Sequence, residues 1–383
     1  MDATTQGKTT RKGFWAVTLF YLLIAFEFFY MASPFAVYFY SVYRPGLDFL
    51  GGYPQLAWLA AFFLPHIVAE TDSILINLHN TVGMVLFAGG IAAFCIGAGQ
   101  VYYRKLAKKG AAVGGVYRYI RHPQYLSLAI SGLGLLLLWP RYIVLLTYVT
   151  ILLAYYGLAR LEERECLAKF GKPYEDYMRR TGMFLPFRMP SIARRGRLSA
   201  SSSIQAALLV GFYVLLLTAA LGAARGVEYL SIRSLYGYYT ENSATISLVK
   251  MDNVDLKKLV EAAKRDGRVG DILTAADGDS SVRYLNYVLP ADRYVSEIPM
   301  NPVEAEEGNH FLLAGYSGRL YRIVITRADC AGGEIVNGRD IVLHATDTVP
   351  LVEAVVDTRD GRVIGVEDPA GIDRYENMPM PVF

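Results

Sequence analysis

The chain has 383 residues, room for two folding units, and 53% of them are hydrophobic, with a mean hydropathy of +0.27. That is too apolar for an ordinary soluble enzyme and makes a membrane protein the default. The net charge of +3 conceals a split: residues 1–224 carry 21 Lys and Arg against 10 Asp and Glu, and residues 225–383 carry 17 against 25. Basic residues on an apolar half read as determinants of membrane topology. No nucleic-acid motif accompanies them, so nucleic acid is set aside as a partner. Cys95, Cys166 and Cys330 lie far apart with no Cys-x-x-Cys pair; neither a zinc ribbon nor a disulfide framework is indicated, and free thiols are expected.

The first apolar stretch, Phe14 to Tyr43, is too long for the hydrophobic region of a cleavable signal and has no small-residue cleavage site behind it. It is expected to remain as a transmembrane helix. Further apolar stretches run over Leu56–Val68, Ile74–Val101, Tyr125–Trp139, Tyr142–Ala159 and Ile204–Ala224, against roughly 20 residues needed to cross a bilayer. Leu56–Val68 is short, follows Tyr53-Pro54, contains Pro65 and runs into His66 and Glu70. It reads as a re-entrant or interfacial segment and not as a crossing. The chain is thus expected to form an α-helical polytopic membrane domain of five or six helices.

Basic clusters orient these helices. Arg104-Lys105 and Lys108-Lys109 follow the third stretch, and Arg179-Arg180, Arg188, Arg194-Arg195 and Arg197 precede the last, which assigns both loops to the cytoplasm. Between them Tyr125–Ala159 reads as a helical hairpin turning at Trp139-Pro140-Arg141, and the last helix carries the C-terminal residues to the other side. Lys8, Arg11 and Lys12 also favour the cytoplasm, which they reach only if Leu56–Val68 does not cross. The expected divisions are an N-terminal membrane region 1–73, a membrane core 74–198, a last transmembrane helix 199–224, and a soluble α+β domain 225–383 outside the cytoplasm.

After Arg225 the texture changes. Asp255 to Lys264 has helical spacing, with Leu256, Leu259 and Val260 on one face. Val282–Leu289, His310–Thr326 and Ile341–His344 are candidate strands, and Leu351–Val366 reads as a hairpin turning at Asp360-Gly361. No nucleotide loop, paired-Cys site or nucleophile elbow is present there, and the role of this domain is open: regulation, substrate presentation or docking of a protein partner.

The chemistry lies in the two loops around the hairpin. Gly114-Gly115-Val116-Tyr117-Arg118-Tyr119-Ile120-Arg121-His122-Pro123-Gln124-Tyr125 runs directly into an apolar helix, and Pro123 suits its first turn. Arg121 and His122 would then sit at a helix N-terminus, beside free backbone N–H groups that attract a carboxylate. After the return helix, Arg160-Leu161-Glu162-Glu163-Arg164-Glu165 continues into Phe170-Gly171-Lys172-Pro173-Tyr174-Glu175-Asp176-Tyr177 and puts carboxylates at the same face. A zwitterion with one carboxylate and one ammonium, such as S-adenosylmethionine, fits between the two loops. Each piece alone has a plainer account. Arg121-His122 is also an interfacial basic anchor, Glu162–Glu165 a solvated helix end with Arg160 paired to Glu163 at i,i+3, and Tyr174 and Tyr177 members of an aromatic belt.

In combination, Gly-x-Tyr-x-x-Ile-Arg-His-Pro-x-Tyr, a short apolar hairpin, then Glu-Glu, Phe-Gly and Tyr-x-x-Tyr resembles the core shared by isoprenylcysteine carboxyl methyltransferases, their bacterial relatives and the membrane phospholipid methyltransferases. The resemblance covers roughly residues 74 to 187. It implies S-adenosylmethionine at the cytoplasmic face and a lipid or other lipophilic acceptor arriving from the bilayer, methylated on O, N or S. By position it places Arg121 and His122 near the methionyl carboxylate, Tyr117 and Tyr125 along the cofactor pocket, and Glu162 or Glu163 on the ammonium; His122, Arg121 and Glu163 are the residues expected to matter most for catalysis. With the exported-looking C-terminal domain it also implies a bacterial inner membrane.

Two other readings compete. Sterol reductases of the same broad architecture carry a related Arg-His/Tyr block but use NADPH, and a non-enzymatic sensor or assembly protein would use the membrane part only as an anchor. Glu27, a carboxylate within the first stretch, is a candidate for the substrate route. His66 and Glu70, at i,i+4 with Asp72 and His79 nearby, have ligand-type side chains, but no metal is expected. His79-Asn80 is expected to cap the third stretch, and His310 and His344 read as structural.

Overall fold

The computed structural model describes residues 22, 35, 36, 38, 53, 55–107, 112–186, 202–276, 282–295, 298, 300, 301, 318–330 and 335–369. Its first half is helical: α1 (Ile74–Asn77), α2 (His79–Leu106), α3 (Pro123–Leu138), α4 (Tyr142–Phe170), α5 (Lys172–Arg180) and α6 (Ser202–Arg233). Among the described residues three helical spans are long and apolar enough to cross a membrane, Ile74–Leu106, Tyr142–Phe170 and Ala206–Ser234, and Pro123–Leu138 is a shorter apolar helix. The expected Phe14–Tyr43 helix lies outside the described residues apart from four positions, and Glu27 lies outside them altogether. The predicted hairpin is present, with Trp139-Pro140-Arg141 between α3 and α4.

The chain divides into two compact units, one of Met1–Val42, Val82–Leu138 and Leu146–Leu217, the other of Tyr43–Thr81, Trp139–Leu145 and Thr218–Phe383. In the first, α2 and α3 approach through glycine. A Cβ on Gly134 would lie 2.3 Å from the Phe87 nitrogen, and one on Gly90 2.6 Å from the Ser131 nitrogen. Lipid tails are as apolar as leucine, so helices in a bilayer associate by close packing and hydrogen bonds, and small residues permit both. The Ser131 hydroxyl donates to the Phe87 carbonyl at 3.0 Å, and the buried Tyr38 hydroxyl donates to the Gly132 carbonyl at 2.7 Å.

The second unit is built on a six-stranded sheet in sequential order: β1 (Gly237–Tyr239), β2 (Ser243–Ser247), β3 (Tyr284–Pro290), β4 (Leu320–Cys330), β5 (Ala345–Asp357) and β6 (Arg362–Glu367). Neighbours are antiparallel except β2 and β3. A parallel pair needs a crossover, supplied by α7 (Asn253–Arg265) and α8 (Gly267–Ala276). Leu256, Leu259 and Val260, the predicted face, are buried among Val288, Ile323, Ile325 and Val352. On the other face Ala244, Ile246, Leu285 and Val324 pack with Ile341, Val342, Ile67, Val68, Ile232 and Leu235.

Three expectations are adjusted. Residues 56–68 contain no helix beyond the 3-10 turn Ala57–Ala60; the Ala69 N–H donates to the Leu248 carbonyl and the Asp72 N–H to the Ser234 carbonyl, both at 2.8 Å. The segment is part of the sheet-bearing unit. Ile341–His344 is not a strand but the end of α9 (Gly338–His344), fixed by a reciprocal capping box between Asn337 and Asp340. Such a box satisfies two orphan N–H groups, and it lies upstream of the apolar run that suggested a strand. The strand expected from His310 begins, among the described residues, at Leu320. The Asp360-Gly361 turn is as predicted, with Gly361 at φ 68°.

Gly134→Ala is expected to lower stability by about 1–3 kcal/mol, the usual cost of overpacking, measured by thermal unfolding in detergent. Gly89→Ala, where nothing lies within 4 Å, should be neutral or mildly stabilising. Equal behaviour of the two would refute the close-packing account.

Candidate active site

The site is built on the loop between α2 and α3. Gly115 has φ 62°, a backbone conformation that favours glycine, and a Cβ there would lie 2.5 Å from the Gln100 amide and displace it. Gln100, near the end of α2, donates to the Gly114 carbonyl and accepts from the Val116 N–H at 3.3 Å. The buried Tyr117 hydroxyl donates to Gln124 Oε1 at 2.9 Å, and Tyr177, from α5, donates to the Tyr117 carbonyl at 2.6 Å. Past the loop, Arg121 and His122 donate their N–H groups to the carbonyls of Gly182 and Met183 at 3.0 and 3.1 Å. These two N–H groups are therefore occupied within the chain.

The side chains of the two loops meet. Arg121 Nε lies 2.6 Å from Glu163 Oε1, with 10% and 3% of the two side chains exposed. Arg121 Nη1 also donates to the carbonyls of Met178 and Thr181. His122 Nδ1 lies 3.4 Å from Glu162 and Nε2 lies 3.5 Å from Glu163. Both ring nitrogens are buried, and at these distances neither completes a hydrogen bond. Burial lowers the His122 pKa, but the two carboxylates outweigh it and hold it above the ordinary imidazole value. Tyr125, fully buried, donates to Glu162, whose side chain is 37% exposed. The rings of His122, Tyr125 and Tyr155 stack in sequence, with centroids 5.7 and 5.2 Å apart.

The structure brings together Arg121, His122, Tyr125, Glu162 and Glu163, with Tyr117 holding the loop behind them. The i,i+3 contact of Arg160 with Glu163 is present at 3.9 Å, but the nearer partner of Glu163 is Arg121. Tyr174 and Tyr177 are buried; burial pushes the Tyr177 hydroxyl up to about 12. Gln100, Gln124, Thr181 and Met183 were not singled out from sequence. The visible signal for the first two was an amide at each edge of an apolar helix. Met183 and Thr181 act through backbone carbonyls and leave none. Elsewhere, His79 Nδ1 contacts the Ile76 carbonyl at the start of α2, and His66 stacks on Phe62 with centroids 4.5 Å apart. Among the described residues no group of three or more His, Cys, Asp or Glu is arranged to hold a metal.

Residues 79–172 match the family model described as phospholipid methyltransferase. No curated protein and no solved structure matches. The matched stretch contains α2, α3, the loop between them and the whole of α4, and hence the clustered residues of the site. The family is one of membrane methyltransferases, and together with the three apolar helices the match makes this an integral membrane protein.

Arg121→Gln leaves Glu163 buried without its cation and is expected to cost about 3–5 kcal/mol, whereas Arg121→Gln combined with Glu163→Gln should recover part of that loss; unfolding of the four species in a double-mutant cycle measures the coupling. A histidine whose folded pKa is raised adds stability below about pH 6.5, its ordinary unfolded value, and loses it as pH rises through the folded value. The unfolding midpoints of the wild type and His122→Gln should therefore differ more at pH 6 than at pH 9, and a larger gap at pH 9 would mean that burial, not the carboxylates, governs the ring.

Proposed function

We propose that the membrane core, residues 74–198, is an S-adenosylmethionine-dependent methyltransferase acting at the cytoplasmic face on a lipophilic or lipid-linked acceptor, with the sheet-bearing domain outside the cytoplasm. The observation that carries this reading is the buried meeting of Arg121 and His122 with Glu162 and Glu163 inside the stretch that matches the family. The residues fit the donor: His122 keeps both buried ring nitrogens without a hydrogen-bond partner, and Glu162 alone of the two carboxylates reaches solvent. One end can thus receive a carboxylate and the other an ammonium.

When bound, S-adenosylmethionine supplies an electrophilic methyl on a sulfonium that is already activated to leave. What the chain must do is orient, exclude water and manage one proton. Arg121 and His122 hold the methionyl carboxylate, and Tyr117 and Tyr125 wall the pocket. The burial of Glu163 behind Arg121 supports giving the ammonium to Glu162 and giving Glu163 the task of positioning Arg121. The acceptor atom forms the new bond to carbon as the bond to sulfur breaks. A carboxylate acceptor is already ionised at neutral pH; an amine or thiol gives up a proton. With its pKa raised, His122 is better suited to hold positive charge than to take up that proton. Glu27 is proposed for the substrate route from its place in the first apolar stretch.

Calorimetry on detergent-purified protein tests this. S-adenosylmethionine is expected to bind, and His122→Ala and Glu162→Gln to weaken it about tenfold or more, each tenfold being about 1.4 kcal/mol. Binding of NADPH alone would move the protein to the reductases; binding of neither would leave a membrane anchor for the C-terminal domain.

A further inference from the structure

Among the described residues β6 is an edge of the sheet, paired on one side to β5. An edge strand presents backbone donors and acceptors that another strand can take up, and proteins commonly blunt such edges with lysine or proline. β6 carries neither: between its terminal charges lie Val363, Ile364, Gly365 and Val366, and Ile364 is 52% exposed. The register with β5 fixes the face of each side chain. Val356 and Ala354, opposite Val363 and Val366, belong to the core under α7. Asp357 and Glu353, opposite Arg362 and Glu367, point the other way, as does Val355 opposite Gly365. Ile364 has no counterpart on β5. A bulge can turn an edge away from partners, but this one also brings Val363 and Val366, three residues apart, onto the same face. The pattern of faces along Arg362–Glu367 therefore reads alike in both directions.

We propose that β6 docks antiparallel on β6 of a second copy of this chain, joining the two sheets across an isologous two-fold contact. About the midpoint between Ile364 and Gly365, this pairing sets Arg362 opposite Glu367 at both ends and Val363 opposite Val366, each pair on one face. Opposite charges directly across an antiparallel pair stabilise it, and like charges destabilise it. Both charges are available for this role. Asp357 is held by Arg319 and Arg359, and Glu353 by Arg322, while among the described residues neither Arg362 nor Glu367 has an ion-pair partner. Within one chain Glu367 instead lies opposite the buried carboxylate of Glu353, a like-charge pair that Arg362 of a second copy would offset. The other edge, β1, has only three residues, and pairing β6 to it would propagate into a chain of copies instead of closing. The inference concerns the sheet alone and stands apart from the methyltransferase reading.

The test is energy transfer between donor-labelled and acceptor-labelled full-length chains reconstituted together in liposomes, followed as lipid is added to dilute them. Wild type is expected to associate. Arg362→Glu and Glu367→Arg should each weaken association about tenfold, since each reverses two symmetry-related pairs at once, and the two combined should restore it to within about threefold. Ile364→Lys puts a charge at the centre of the edge and should abolish the transfer; the position is exposed, so the protomer tolerates it. Circular dichroism matching wild type shows that each variant keeps its sheet. Absence of transfer in wild type overturns the proposal. So does transfer that Ile364→Lys leaves unchanged, which would place the contact on another surface, or a folded double variant as weak as the single ones. No arm reads methyl transfer or S-adenosylmethionine, so this outcome and that of the methyltransferase test are independent.

Discussion

Burial of the Glu163 carboxylate is the constraint on which the helical unit is organised. An ionised carboxylate taken out of water costs several kcal/mol unless a cation and hydrogen bonds replace its hydration. Arg121 answers that demand at 2.6 Å, and its Nη1 donates to the carbonyls of Met178 and Thr181. A single ion pair therefore ties three separate pieces of chain: the loop before α3, the last third of α4, and the end of α5 with the residue after it. His122 lies one residue after Arg121 and Glu162 one residue before Glu163, so the register of the pair sets where they stand.

Much of this was legible in the order of residues, and what was missed has physical causes. The length of the apolar stretches marked the membrane helices, the spacing of Leu256, Leu259 and Val260 marked α7, and Pro123 marked the start of α3, because these signals are carried by side chains. The contacts to Gly182 and Met183 are made by backbone carbonyls, which every residue possesses. In the sheet-bearing unit β2 reads Ser-Ala-Thr-Ile-Ser and gave no strand signal, yet all five residues are buried. Asn286 explains two of the polar members: its amide donates to the hydroxyls of Ser243 and Thr245 at 3.0 Å each, so these buried oxygens are satisfied by a strand distant in sequence. The α9 helix was hidden for a related reason. Its capping residues precede the apolar run, and three apolar residues alone do not distinguish a strand from a short helix.

Residues 56–68, read as too short to cross, hold no spanning helix, and part of what covers their apolar side chains is remote in sequence. An apolar run containing proline, too short to span, is also what a segment looks like when it packs against a sheet. Ile67 and Val68 lie in the same cluster as Ala244, Ile246 and Leu285, and Arg293, itself buried, donates to the Ile67 carbonyl at 3.4 Å. Ile67 and Val68 are covered by a sheet more than 170 residues later, while Trp58, Phe62 and Phe63 pack on the turn around Arg141 and Tyr142.

That cluster has a consequence for how the protein is made. Ile67 and Val68 leave the ribosome before α2, Ile232 and Leu235 only with the end of α6, and the strands between which they pack come last of all. The core of this unit cannot close while the chain is being inserted. It waits, with early apolar residues uncovered, for the end of synthesis, so the terminal segment acts as the closing piece of a structure begun near the start, and a chain cut short at α6 forfeits the packing of Ile67 and Val68 along with the sheet.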